Sequence, residues 1–283
     1  MRVSTAQELS GRSDLRMVAP EDCPSQAEYI RYFDDAIAVM QTAPALERIA
    51  YELSVDSAAE NIDYLEVRWA PRLHLREGLS ISEVIEAVLR GLDAGPITGV
   101  AIVCAMRQHS PEENMTLARE AAKFAGRGVV GFDLAGDEAR YPATPQGQAF
   151  EAARAAGLHL TCHAGEAGEP SSVEEALDLS VERIAHGVIG ARDPRIVDRI
   201  RREGIVLDMC PTANRKCKAV RSMSEHPLPG LVRYGVKCTI STDSRTVAGT
   251  TLSNEFELMA QVGMSDDELR RCNETAYAAK FGS

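Results

Sequence analysis

The stretch Leu158-His159-Leu160-Thr161-Cys162-His163-Ala164-Gly165-Glu166 carries two signals in nine residues. Its first half is a mostly apolar run of strand length, of the kind buried on both faces of a parallel sheet. Its second half sets a histidine at the mouth of that strand and a carboxylate three residues on, across a tight Gly turn. An imidazole beside an acid suits metal-assisted hydrolysis, in which an ion activates water and the acid protonates the group under attack. Three more polar clusters follow, each at the end of a predicted strand: Ala185-His186-Gly187, Cys210-Pro211-Thr212 and Ser241-Thr242-Asp243.

Working outward from this run, strands and amphipathic helices alternate from Tyr64 to the end. The predicted strands are Tyr64 to Trp69, Val100 to Met106, Val129 to Leu134, Leu158 to His163, Arg183 to His186, Ile205 to Met209 and Lys237 to Ser241. Helix starts are marked by Ser80 with Glu83, Ser110 with Glu113 and Ser265 with Glu268, all at capping-box spacing. Asp193-Pro194 opens another helix, which runs to Glu203 with Gly204 as its cap. Repeated βα units imply a doubly wound sheet or a (β/α)₈ barrel. Nearly every strand delivers a polar residue at its C-terminal end: Arg68, Arg107, Asp133, His163, His186, Cys210 and Asp243. A doubly wound sheet focuses ligand at one switch point, and no Gly-x-Gly-x-x-Gly opens a helix here. A barrel gathers all strand ends into one mouth, so a TIM-type (β/α)₈ barrel spanning residues 1–283 as a single domain is expected.

Seven strands are read where a closed barrel needs eight. The first sixty residues look helical and loop-like, with Pro24 to Gln41 and Ala43 to Asp56 as helical stretches. The missing strand is expected to be the first.

The bulk numbers narrow the function. At 283 residues, 45% hydrophobic and 26% charged, the chain suits one large α/β domain. A formal charge of −11 argues against nucleic acid, which needs a basic face that releases counterions. A small neutral or cationic partner fits better. No apolar run serves as a leader or a membrane span, and the seven scattered cysteines read as reduced thiols, so a cytoplasmic location without a membrane partner is expected.

Each polar residue has a bland explanation alone. His163 and His186 can be packed core histidines, Glu166 a solvated turn residue, and Asp243 a turn cap. Together, at three strand ends of one barrel, they face one cavity. The chain then resembles the adenosine deaminase family of metal-dependent barrel hydrolases. The elements that carry the resemblance run in order: Glu66-Val67-Arg68-Trp69-Ala70-Pro71, Phe132-Asp133-Leu134-Ala135-Gly136-Asp137-Glu138, His163-Ala164-Gly165-Glu166, His186-Gly187, Cys210-Pro211-Thr212-Ala213-Asn214, Glu225-His226-Pro227 and Ser241-Thr242-Asp243. The resemblance implies that His163 and Asp243 are zinc ligands, that Glu166 donates a proton to the purine ring nitrogen, and that His186 orients and helps deprotonate the metal-bound water and stabilises the negative charge that develops. It implies substrate contacts at Gly136, Ser244 and Asp133, and a purine nucleoside as the small-molecule substrate, deaminated to an inosine-type product and ammonia.

Two departures qualify this. The family carries a His-x-His pair on its first strand, both histidines binding the metal, and this sequence has none. Met1 begins just after the segment that would hold it, which predicts an incomplete zinc site, from a late start or a fragment, unless another chain supplies the strand. Ser244 stands where many relatives carry a second Asp, which leaves the exact purine open. The alternative is a deaminase-like barrel, impaired or inactive, that binds a nucleoside or a protein. Elsewhere, Lys216-Cys217-Lys218 with Arg221 reads as a solvated loop, Asp137-Glu138 as lining the mouth in preference to capping a turn, and Trp69 as core or rim.

Overall fold

In the computed structural model, which describes residues 1–282, seven parallel strands form one sheet in sequence order. They are β1 (Tyr64–Trp69), β2 (Thr98–Met106), β3 (Val129–Ala135), β4 (His159–Ala164), β5 (Arg183–His186), β6 (Val206–Met209) and β7 (Lys237–Ile240). Every predicted strand is present, its bounds shifted by two residues or fewer. Parallel neighbours need crossovers, which are made by helices such as Ile81–Asp93, Pro111–Ala122, Gly147–Ala155 and Pro194–Glu203. Ser80, Ser110 and Ser265 each form the anticipated reciprocal capping box, and Asp193 and Gly204 bound their helix.

Side chains that meet across the interior show that the sheet is curled. Arg68 on β1 lies 3.8 Å from Asp133 on β3 and 3.9 Å from Asp208 on β6. Arg183 on β5 donates to Glu66 on β1 at 2.5 Å. Contacts between β1 and strands four and five places away require a TIM-type barrel. Among the described residues no strand bridges β7 and β1, so the barrel is partial, as the strand count implied. Alternate residues on each strand take opposite roles. Phe132, Leu160, Ile184 and Leu207 pack outward in the apolar layer that also holds Ile85, Leu117 and Phe150. Their neighbours point into a polar lumen, closed at the strands' N-terminal end by Phe281. Its ring stacks on His159 at 4.6 Å and under the Arg183 guanidinium at 3.7 Å.

The segment expected as one helix from Pro24 to Gln41 is broken. It runs as Gln26–Ile30, a 3₁₀ turn at Arg31–Phe33 and Asp34–Val39. Tertiary contacts override the helical period: Tyr29 is drawn into the barrel mouth, while Asp35 turns back to accept the Arg16 N–H at 2.7 Å. All seven cysteines are free, and no described helix is long and apolar enough to cross a membrane.

Candidate active site

The turn after β4 is built by close backbone approach. Gly165 has φ +76°, and a Cβ there would sit 2.9 Å from the Gly187 carbonyl carbon. Only glycine lets the ends of β4 and β5 come this near. They are stitched by Gly187 N–H to Ala164 O at 2.8 Å and Ile189 N–H to Gly165 O at 2.9 Å. The same turn aims three successive N–H groups at one carboxylate: Gly165, Glu166 and Ala167 all donate to Glu138, as does the Ser172 hydroxyl. Burial raises the Glu138 pKa, against the pull of these donors. Of the two roles open to Glu138, lining the mouth or capping a turn, the less favoured one holds: it organises the turn that carries Glu166, because a buried carboxylate needs the donors the turn leaves free.

Four of the anticipated residues come together above this turn. His163, His186 and Asp243 each place one ligand-capable atom within 4.8 Å of the others. The two imidazole rings are 5.3 Å apart, and Glu166 Oε1 lies 3.7 Å from His186 Nε2. His186 and Asp243 adopt left-handed backbone, φ +73° and +54°. For non-glycine residues this costs about 1–3 kcal/mol each, and such strain clusters at functional sites. Burial, with His163 nearby, pushes the His186 pKa down to about 3, so the ring is neutral at neutral pH.

Asp133 departs from its expected role at the substrate. It is fully buried, with one carboxylate oxygen 2.7 Å from His163 Nδ1. Burial opposes its ionisation, yet His163 and Arg68 together bring its pKa to about 2. Its inward position on β3 puts it beneath the histidine, beside Nδ1. Ser244, also assigned to substrate, places its hydroxyl oxygen as acceptor for the Val247 N–H at the start of Arg245–Ala248. Gly136 ends β3 at φ +115°, where a Cβ would collide with Gln108, and so leaves bare backbone at the mouth. Arg107, grouped with the mouth residues, is buried and ties Tyr141 O and His163 O at 2.7 and 2.8 Å.

Three residues of the site were missed. Gln26 donates to Glu166 Oε2 at 2.5 Å, Cys217 to Glu166 Oε1 at 3.1 Å, and Tyr29 to Asp243 Oδ2 at 3.2 Å. Gln26 and Tyr29 arrive on the broken helix, where Tyr29 looked like one more apolar position. Cys217 was masked by its lysines. The solvated loop expected there is corrected as well: Lys216 is buried and donates to Ala19 O and Ala248 O, anchoring the segment that leads into Gln26.

Imidazole nitrogen and carboxylate oxygen are donors that suit zinc. His163 fits the part, because a carboxylate behind the other ring nitrogen is how metal-binding histidines are commonly oriented. Asp243 completes a pair. His186 fits less well, since its Nδ1 faces the Asn214 amide nitrogen at 2.9 Å.

Comparison with known proteins gives the family. The family model described as adenosine deaminase matches residues 12–283. The chain belongs to the adenosine deaminase family. It is 35% identical over 274 residues to an adenosine deaminase of Clostridium perfringens, covering 91% of this chain and 82% of that one. An N6-mAMP deaminase structure from Arabidopsis superposes with a TM-score of 0.90 at 26% identity, covering 100% of this chain and 90% of that one. An adenine deaminase structure from Arthrobacter aurescens gives 0.88 at 23%, covering 99% and 89%. This member of the adenosine deaminase family is accordingly a hydrolase on a partial TIM-type barrel.

Proposed function

We propose that this chain hydrolytically deaminates adenosine or a closely related amino-purine nucleoside, giving an inosine-type lactam and ammonia. The observation that carries the proposal is the meeting of His163, Glu166, His186 and Asp243 at the ends of β4, β5 and β7. A purine amine is the common denominator of the relatives, which are named for adenosine, adenine and N6-mAMP.

In the reaction, water oxygen bonds to the carbon bearing the amine, and the C–N bond breaks. One water proton leaves with the ammonia, and the other restores the proton that Glu166 gives to the ring nitrogen. Glu166 supplies the proton to that nitrogen, which makes the neighbouring carbon electrophilic. Gln26 and Cys217 hold the Glu166 carboxylate from opposite sides, and substrate takes the place of Gln26 beside it. His186, neutral and buried, hydrogen-bonds the attacking oxygen as charge develops there. Asp243 faces the same oxygen, and Tyr29 fixes its carboxylate. His163 and Asp243 would hold zinc, which when bound lowers the pKa of water to about 7 and so supplies hydroxide at neutral pH.

One observation favours a second reading, a barrel that binds nucleoside with little or no turnover. Catalytic zinc sites usually have three protein ligands, and here His163 and Asp243 are two. Loss of adenosine absorbance together with ammonia release, measured with Glu166→Gln as control, separates the two. Turnover abolished in the variant supports deamination. Binding of adenosine with no turnover supports the second reading.

A further inference from the structure

Two motifs take no direct part in the reaction, Cys210-Pro211-Thr212-Ala213-Asn214 and Glu225-His226-Pro227. The structure joins them in a chain of hydrogen bonds ending on His186. Asn214 Nδ2 lies 2.9 Å from His186 Nδ1, and Asn214 Oδ1 lies 3.2 Å from His226 Nε2. All three side chains are buried, at 0%, 1% and 4% exposure for Asn214, His186 and His226. Water is therefore not available to satisfy a misdirected group.

The direction of every bond in this chain is fixed by two backbone donors, which cannot act as acceptors. The Cys210 N–H points at Asn214 Oδ1 at 3.3 Å, so that atom must be the oxygen. The amide NH₂ then faces His186, and Nδ1 of His186 must accept. At the far end, the Leu228 N–H points at His226 Nδ1 at 3.3 Å, so Nδ1 of His226 accepts and its Nε2 carries the proton. That proton is donated to Asn214 Oδ1, which agrees with the orientation set by Cys210. Both ends give the same answer.

A neutral imidazole whose Nδ1 accepts carries its proton on Nε2. His186 Nε2 is the atom that faces the site, 3.7 Å from Glu166 Oε1. A metal ligand needs a bare lone pair, and this nitrogen has none to offer. We propose that Asn214 and His226 are positioning residues that lock His186 as the Nε2–H tautomer, making it a hydrogen-bond donor to the reacting oxygen and removing it from the metal's ligand set. This rests on the deaminase reading for the role of His186, but not for its tautomer.

Long-range ¹⁵N–¹H NMR on the full chain labelled at histidine tests the two apart. The expected result is a pyridine-type resonance at His186 Nδ1 and a pyrrole-type resonance at Nε2. Asn214→Asp replaces the donor with an acceptor and should move the proton to Nδ1. Asn214→Ala removes the donor and should leave the two forms in exchange, while His226→Gln keeps a donor to Oδ1 and should preserve the wild-type pattern. Losing one preorganised hydrogen-bond donor to a developing oxyanion costs about 10²–10³-fold, so kcat in Asn214→Asp should fall by at least about 100-fold, with KM changed far less. A wild-type His186 protonated on Nδ1 overturns the proposal, as does an unchanged tautomer in both Asn214 variants. If a buried Asp prevents folding, the wild-type and Asn214→Ala spectra decide. The predicted tautomer in a chain that turns over no amino-purine sinks the deaminase reading and leaves this one standing.

Discussion

Replacing Gly165 by alanine puts a methyl group where the ends of β4 and β5 meet, and the structure gives the size of the effect. The new Cβ would lie 2.9 Å from Gly187 C, 3.0 Å from Gly187 Cα and 2.9 Å from Val173 Cγ2. Carbon atoms settle at about 3.5–4.0 Å, so the gap must open by roughly half an ångström or more. Val173 is fully buried, and Gly187 is pinned by the two interstrand bonds that flank it, so neither neighbour yields freely. Overpacking of this kind costs about 1–3 kcal/mol. The left-handed backbone at φ +76° adds about 1–2 kcal/mol for any residue with a Cβ.

Gly165→Ala should therefore lose about 2–5 kcal/mol in all. Gly11→Ala isolates the backbone part, because Gly11 has φ +67° with nothing within 4 Å of its Cβ position. That control should lose only about 1–2 kcal/mol. Urea denaturation at pH 7, read as a midpoint shift at constant m, measures both. Equal losses in the two variants would refute the claim that the β4 and β5 turns are in steric contact. The displaced atoms belong to the residue after His186, so turnover should suffer more than stability suggests. Misplacement of about 1 Å costs catalysis roughly 100-fold.

Three further outcomes follow from the structure. Glu66→Ala takes the nearest carboxylate from the Arg183 guanidinium, which keeps Asp208 at 3.4 Å and Ala279 O, and it frees the Phe281 N–H, so it should cost about 1–3 kcal/mol in chemical denaturation, and no loss would contradict it. Burial pushes His74 and His226 down to about 4 from an unfolded value near 6.5; because the folded pKa is the depressed one, their stabilisation is whole above about 6.5 and is lost as pH falls towards 4. Each such proton bound on unfolding contributes a slope of about 1.4 kcal/mol per pH unit between those limits, so His74→Gln should flatten the stability profile by about that amount, and an unchanged slope would contradict the reasoning. With His163 and Asp243 as its two strong ligands, zinc should be largely removed by dialysis, and elemental analysis returning one tightly held ion per chain would show that a further ligand has been overlooked.

What the sequence revealed and what it hid divide along one physical line. Strand positions were legible because burial on both faces leaves an apolar signature, and helix starts were legible because capping boxes are local. His163, Glu166, His186 and Asp243 were legible for a related reason: strand ends in a barrel converge, so order along the chain predicts neighbourhood in space. The errors all concern groups whose role depends on the hydrogen-bond partner a distant segment supplies. Glu138 could line the mouth or cap a turn, and only the three N–H groups of the loop after β4 that point at it decide for the turn. Lys216 looked solvated because its partners, Ala19 O and Ala248 O, are backbone atoms with no residue signature. Gln26 and Tyr29 sat in a plain helical pattern that the fold breaks to bring them to the carboxylates. Asn214 and His226 make the point most sharply. Their residue types are visible in the sequence, but the direction of their hydrogen bonds is set by the N–H groups of Cys210 and Leu228, and only coordinates show where those point. The chemistry of His186 thus depends on backbone geometry, which is why a residue found from its motif alone could still be assigned the wrong proton.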